Sequence, residues 1–431
     1  MIDLSSPTQP TAHVETAQDS TEFTTPLSPF PSGNSQSIPL ILHGFYHSTW
    51  ALFQELSLEW PPQTFQPVDI EFVTKKTTTI RLPKPSQLAW LHPLARFSLF
   101  QGLSWTDRWN IINFMEKQWE DNLLPTHNSD IESVEAWLIS AKQSKDSRSN
   151  FWNPLCRFVL HCDISQASLS SFIATISQYW FSQPTDAATF LAPPETLSKL
   201  WTELRQLLMN KGIRFFACKE TLRINMEAKN IHSIQVDDQH INAQTYISAL
   251  PLQRLLSLFP ERALAHYANF ASLEQIPKVY GLAIRFALQD SHIPPRLILN
   301  SGPFDWITSQ PSSEFNTPNT AITCVTLRKY LDRENHEEWL IHAARACLHT
   351  HFNISPTQES CKPCIIRQIG PFFPCQQGSR AYRPVPTTPL NNFFLAGPWT
   401  ATKLPSSLES AITSANQCAQ AVAASFYTTR H

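Results

Sequence analysis

The sequence predicts a mixed α/β protein of one or two domains, in which helix patterns and runs of short strands share the chain. Three observations carry this. The chain closes on an apolar run, Asn392-Phe393-Phe394-Leu395-Ala396, ended by Gly397-Pro398, and a helix pattern follows a polar turn. Residues 196–249 read as a helix, a strand and a meander, and residues 278–328 supply further short strands. Length agrees: 431 residues suggest two domains, or one large nucleotide-binding domain with an insertion.

Residues 1–38 are rich in Ser, Thr, Pro and Gln without apolar periodicity, and are expected to be a disordered tail. They lack both the Arg bias of a mitochondrial presequence and the apolar core of a secretory signal. Residues 39–190 are expected to be a mostly helical substrate or cap region. Within it Thr49–Leu56 is helical in pattern, and Val68–Val73 and Thr77–Leu82 alternate like a hairpin. Ser86–Leu103 is apolar apart from Arg96 and is interrupted by Pro93. It reads either as a monotopic helix dipping into a membrane to admit a lipid, or as a buried cap helix. Helix patterns follow from Ser104 to about Trp119, over Glu132–Ala141, from Phe151, and over Ser168–Phe181.

The pattern changes near Pro193, and residues 191–260 form a third segment. Thr196–Asn210 places Leu197, Leu200, Leu204, Leu207 and Leu208 on one face, with Gly212 where a C-terminal cap belongs. Ile213–Cys218, Thr221–Met226, Ile231–Val236 and Gln244–Ala249 read as strands, with Asp237-Asp238 as a hairpin turn. Residues 261–385 add strands at Val279–Ala287, Arg296–Leu299, Ala321–Leu327 and Cys364–Gln368, and a helix at Glu337–His351. Residues 386–431 are the closing segment. There Ser406-Ser407-Leu408-Glu409 has capping-box spacing, and Ala411, Ala415, Ala419 and Ala423 suggest a face for close packing.

Composition excludes several classes. A net charge of −2 gives no electrostatic case for binding nucleic acid. No apolar run reaches the ~18 residues of a membrane-spanning helix. Nine Cys, odd in number and scattered, fit a reduced intracellular state, so a cytoplasmic protein with peripheral membrane contact is expected. Thirteen Trp and 27 Phe suit a large apolar cavity or a big core. Cys361-Lys-Pro-Cys364 lacks the second pair of a zinc ribbon, and His349-Thr-His351 ends a helix without a nearby acidic residue in sequence, so no metal site is expected. With only nine Gly, none two residues apart, the chain contains no GxGxxG turn.

The closing stretch from Phe394 to Ala411, reading FLAGPWTATKLPSSLESA, resembles the final flavin motif of the hydroxysqualene dehydroxylases. These squalene-associated flavoproteins are relatives of phytoene desaturases and amine oxidases. Gly44-Phe45-Tyr46-His47-Ser48-Thr49, Gly102–Arg108, Phe151-Trp152-Asn153-Pro154-Leu155-Cys156, Pro251 and Pro303–Trp306 agree with further family blocks in order, so the similarity spans residues ~40–427. The resemblance implies a glutathione-reductase-like FAD domain built from separated segments, here incomplete. It also implies a substrate domain of helices and antiparallel sheet. It implies FAD as cofactor and a hydrophobic C30 isoprenoid as substrate, reduced by flavin hydride in squalene or hopanoid formation. Gly397, Trp399, Thr400, Thr402, Leu404, Pro405 and Glu409 would contact the cofactor; no catalytic residue is assigned.

Four departures set the alternatives. The glycine-rich βαβ unit and its ribose-binding acidic residue are not found, Ile38-Pro39-Leu40 stands where the family has Gly-Gln-His, Pro398 replaces an Asp, and Lys403 replaces a Gly. One alternative is a flavin-free homologue that binds an isoprenoid or serves as the non-catalytic partner of a catalytic subunit. Another obtains the βαβ unit from a second chain or from sequence upstream of the start.

Overall fold

The computed structural model describes residues 12–16, 38–56, 67–73, 79–82, 103–120, 130–180, 186, 188–192, 194–218, 222–227, 229–237, 239–259, 268–288, 293–312, 319–327, 336–354 and 362–428. Its strands are β1 (Ala12–Thr16), β2 (Leu40–His43), β3 (Ile70–Val73), β4 (Thr79–Leu82), β5 (Thr189–Ala192), β6 (Arg214–Cys218), β7 (Leu222–Glu227) and β8 (Asn230–Val236). There follow β9 (Gln239–Ile241), β10 (Tyr246–Ser248), β11 (Val279–Leu288), β12 (Arg296–Ser301), β13 (Phe304–Ser312), β14 (Asn319–Thr326), β15 (Cys364–Phe372) and β16 (Phe393–Leu395). The main helices are α1 (His47–Glu55), α2 (Trp105–Glu120), α3 (Val134–Ser140), α4 (Asn153–Leu160), α5 (Leu169–Trp180), α6 (Pro194–Asn210), α7 (Leu252–Leu258), α8 (His336–Phe352) and α9 (Leu408–Thr428). The architecture is the mixed α/β class expected.

Local signals act as read. Ser104 Oγ accepts from the Asp107 N–H at 3.1 Å and opens α2, and Ser133 Oγ does the same for Ala136 at 3.0 Å in α3. Pro154 sits in the first turn of α4, and His161 at φ 61° ends it. Gly212, at φ 86°, closes α6, with the Ile213 N–H reaching back to the Leu208 carbonyl at 3.1 Å. Asp237 takes φ 51° in the tight turn from β8 to β9.

A seven-stranded sheet, in the order β15-β11-β14-β13-β12-β3-β4, dominates. The β3–β4 hairpin forms as expected, but it joins this sheet through a parallel pairing of β3 with β12. The helical 39–190 segment therefore supplies two strands to the antiparallel unit. Alternation divides the two faces. Ile284, Ile298, Ile307, Ile322 and Cys324 pack against Leu340, Ala344 and Leu348 of α8. Ala283, Leu297, Leu299, Trp306 and Val325 belong to a core shared with Phe151, Trp152, Leu155 and Phe158 around α4.

Elsewhere β2 pairs antiparallel with β5, β7-β8-β9 form a meander, and β10, within the expected Gln244–Ala249 strand, lies outside it and runs parallel to β16. Three expectations are corrected. Within the tail expected to be disordered, Ala12–Thr16 forms β1, parallel to β6; the remainder of residues 1–37 lies outside the described residues. Strand β13 was not individually expected, because Ser309, Gln310 and Pro311 mask its alternation. Helix α9 packs through Ser410, Ser414 and Cys418, while Ala415, Ala419 and Ala423 face outward. Burial follows the contacts made with Phe394 and Ala396, not side-chain size. The apolar segment Ser86–Leu103 lies outside the described residues up to Gly102, as does Cys361.

Candidate functional site

The C-terminal loop is a closed hydrogen-bonded knot. Gly397 takes φ 148°, and a Cβ there would stand 2.6 Å from Trp399 Nε1, so the indole lies against the glycine. The Gly397 N–H donates to Ser414 Oγ at 3.0 Å. Thr400 Oγ1 lies 3.0 Å from the Gly397 carbonyl and 2.7 Å from Ser414 Oγ. Thr402 and Ser410 share a hydroxyl–hydroxyl bond at 2.7 Å, and Ser410 Oγ also reaches the Pro398 carbonyl at 3.3 Å. The Leu404 carbonyl accepts from Arg383 Nη1 at 3.2 Å, and the Pro405 carbonyl accepts from Ser407 Oγ at 3.1 Å. Lys403, standing where the family has glycine, keeps a left-handed backbone at φ 65°.

The expected capping box is displaced by one residue. Ser407, not Ser406, caps α9, accepting from the Ser410 N–H at 3.1 Å. Glu409 does not turn back on its own helix. Its Oε1 accepts from the Ser48 N–H at 2.8 Å, and its Oε2 from the Thr49 N–H at 2.9 Å and the Thr49 hydroxyl at 2.7 Å. A buried carboxylate from the last helix therefore caps the first turn of α1, where free N–H groups and the helix dipole favour negative charge.

Beyond that junction lies an aromatic cluster around His43. Its ring stacks on Phe45 at 5.2 Å between centroids and meets Tyr46, Phe158 and Tyr179 edge-on at 5.3, 5.9 and 5.3 Å. Thr189 Oγ1 joins His43 Nδ1 at 3.1 Å to the Tyr179 hydroxyl at 2.7 Å. Burial pushes His43 down to about 3, so it is a neutral ring at physiological pH. Burial likewise pushes the Tyr46 and Tyr179 phenols up, so both stay protonated. The cluster is apolar in bulk with a few fixed polar atoms, as a site for a weakly polar ligand requires.

The structure thus gathers Gly397, Trp399, Thr400, Thr402, Leu404, Pro405 and Glu409 into one junction, but their polar side-chain groups, apart from one, bond within the protein. The exception is Trp399 Nε1, buried without a hydrogen-bond partner. Sequence reasoning missed Ser410, Ser414, Arg383 and His43, which have no motif of their own; the four-residue spacing of Ser410, Ser414 and Cys418 is the signal for a packed face. Among the described residues no group of three His, Cys, Asp or Glu side chains could hold a metal ion, and no helix is long and apolar enough to cross a membrane.

An α/β nucleus of separated segments joined to a large antiparallel sheet defines a class shared with flavin-dependent oxidases. The sequence profile of the flavin containing amine oxidoreductases matches residues 38–423, and the chain belongs to that family. It is similar to 15-cis-phytoene desaturase of Synechococcus elongatus, with 23% identity over 282 residues. That alignment covers 61% of this chain and 58% of the desaturase, so the chain spans less than two thirds of that relative's length. Among solved structures it resembles cyclohexylamine oxidase from Brevibacterium oxydans (TM-score 0.63, 13% identity, 96% of this chain and 93% of that one). It also resembles an oxidoreductase from Methanosarcina mazei (TM-score 0.63, 15% identity, 90% and 88% covered). At such identities these two establish the fold.

Proposed function

We propose that this chain binds a long, weakly polar isoprenoid, and that its flavin-motif segment acts as a structural clasp. One observation carries the second half: the hydroxyls and the carboxylate expected to meet a flavin are already bonded within the protein. Thr400 and Thr402 bond to Ser414 and Ser410, Glu409 caps α1, and the Trp399 indole covers Gly397. Pro398, where the family has an acidic residue, offers neither an acceptor side chain nor an N–H. Within this chain no glycine pair is spaced to cradle a pyrophosphate. These residues do not fit FAD as they are placed. The isoprenoid half is supported by the aromatic cluster around His43 and by the phytoene desaturase likeness. A binding protein of this kind would work beside a catalytic subunit, with peripheral membrane contact as its route to an apolar ligand.

A second reading is favoured by the block-by-block resemblance over residues ~40–427: an incomplete FAD domain that still supports hydroxysqualene dehydroxylase or desaturase chemistry. The visible spectrum separates the two, because in that chemistry the cofactor carries the reaction. After incubation with FAD and gel filtration, the clasp reading expects no absorption near ~450 nm. Stoichiometric flavin bands surviving filtration would overturn it in favour of the enzyme.

A further inference from the structure

Three free thiols meet where α4 ends. Cys156 lies on α4, Cys162 follows its last turn, and Cys375 lies just beyond β15; all three are buried in one core. Chain geometry brings them together. His161, at φ 61°, turns the backbone back on the helix, and the residue after such a turn packs against the last full turn. Cys162 stands there, and its thiol is hydrogen-bonded to Cys156. Cys375 comes from a distant part of the chain. Its N–H donates to the Leu160 carbonyl at 3.1 Å, and its carbonyl accepts from the Ser168 N–H at 2.9 Å.

Cys375 is set apart from the other two by its surroundings. Arg383, only 8% exposed, places Nη2 3.7 Å from Cys375 Sγ. Its other bonds go to the Phe373 and Leu404 carbonyls at 3.0 and 3.2 Å, and among the described residues it forms no ion pair with a carboxylate. A buried guanidinium ordinarily has an anionic partner. Here the one bonded neighbour able to become an anion is the Cys375 thiol. Ser171, in the first turn of α5, bonds to the same thiol, and the N-terminus of that helix favours negative charge. Burial pushes the Cys375 thiol up, with Cys162 and Asp130 adding to it, while the Arg383 charge and Ser171 pull it back. Nothing comparable offsets burial at Cys156 or Cys324, whose thiols are held well above their ordinary range. Beside the same guanidinium, His161 Nδ1 is buried without a hydrogen-bond partner. Burial and the Arg383 charge keep that ring neutral, so its free nitrogen can bond to a small polar visitor.

A cation, a hydroxyl donor and a helix N-terminus around one thiol, with a second thiol at hand, are the conditions under which cysteines react with oxidants. We infer that Cys375 is a peroxide-reactive thiol and that Cys162 is its resolving partner. The Cys375 sulfur attacks one oxygen of hydrogen peroxide, the O–O bond breaks, and sulfenic acid and water result. The Cys162 sulfur then displaces the sulfenic hydroxyl, which leaves as a second water, and the disulfide forms. The two thiols give up two electrons and both protons, and one peroxide is reduced to two waters. The link ties the end of α4 to the segment held by Arg383, whose Nη1 also secures the Leu404 carbonyl of the clasp.

The test treats the full chain with excess hydrogen peroxide, blocks the remaining thiols, and reads the product by non-reducing electrophoresis and peptide mapping. A bond between Cys162 and Cys375 closes a loop of about 200 residues, so the denatured chain should migrate faster until dithiothreitol is added. That band should vanish in Cys375→Ser and in Cys162→Ser and persist in Cys156→Ser. Arg383→Met should slow its formation about tenfold, while Arg383→Lys, which keeps the charge, should stay within about threefold of the wild type. Melting temperatures check that the variants fold. Alkylation of the wild type by iodoacetamide tests the same point without substitution: Cys375 should react about tenfold faster than Cys324. The inference is overturned if no such cross-link forms, if the only bond in the cluster joins Cys156 to Cys162, if a folded Arg383→Met variant oxidises at the wild-type rate, or if Cys375 is alkylated no faster than Cys324.

Discussion

Glu409 holds Thr49 through a single carboxylate oxygen, which accepts from both the Thr49 N–H at 2.9 Å and its hydroxyl at 2.7 Å. The other oxygen takes the Ser48 N–H, so a residue near the end of the chain closes the first helix near its beginning. Three hydrogen bonds to one buried charge make this the polar centre of the junction between α1 and α9.

Glu409→Ala should therefore cost about 2–4 kcal/mol in urea unfolding, combining lost charge-assisted bonds with an uncapped helix. Glu409→Gln keeps the acceptor but not the charge and should cost about 1–2 kcal/mol. A loss below about 0.5 kcal/mol for the alanine variant would mean that the clasp contributes no stability.

Gly397→Ala forces a methyl group to 2.6 Å from the Trp399 indole nitrogen at a φ of 148°. It should destabilise by about 2–3 kcal/mol, through strain in both backbone and packing. If thermal denaturation shows no shift, the indole is not held against the glycine.

Lys403 pays the opposite cost, sitting at φ 65° where only glycine is at ease. Lys403→Gly should raise stability by about 0.5–1 kcal/mol, relief of strain being partly offset by greater chain entropy in the unfolded state. A destabilised variant would show that the lysine side chain makes a compensating contact.

Two histidines, the buried His43 and the part-buried His161, make the fold sensitive to acid. Burial holds His43 at about 3 and, helped by the Arg383 charge, His161 at about 4, against an ordinary 6.5. Below pH 6.5 the unfolded chain takes up protons that the folded chain refuses until these lower values are reached. Their contribution is complete above pH 6.5 and declines as pH falls, by up to about 1.4 kcal/mol per pH unit for each histidine. Denaturant midpoints at pH 7.5 and 5 should show the decline, and His43→Gln should flatten it. A midpoint independent of pH over this range would refute the assignment.

Across the neighbouring strands β12 and β3, Arg296 clamps the buried Glu71 with Nε and Nη2 while Nη1 donates to the His351 carbonyl at 2.8 Å. The end of α8 is docked there, with the guanidinium over Phe352 at 5.0 Å. Arg296→Met should cost about 3–5 kcal/mol by stranding the Glu71 charge, and adding Glu71→Met should restore most of it. A double variant no more stable than the single one would show that the charge is not what the arginine serves.

Much of the secondary structure was legible because its signals are local. Ser104, Ser133 and Gly212 mark helix ends through bonds spanning a few residues, and the alternation in Val279–Ala287 survives because that strand is apolar. β13 escaped individual notice because polar residues interrupt it. Thr308 and Gln310 break the apolar pattern, and only pairing with β14 shows them to be buried. Ala411–Ala423 misled because spacing defines a helix face without saying which neighbour it meets.

By itself, then, the sequence determined the mixed α/β class, the extent of the family resemblance and the strand–turn–helix at the C-terminus, all of which are written in short-range pattern or ordered motif. Tertiary structure alone decided what that ending does. Whether a carboxylate at Glu409 faces a cofactor or a helix depends on where α1 lies, and α1 lies 360 residues away in the chain. A hydrogen bond is satisfied in space, by whichever group folding brings within about 3 Å.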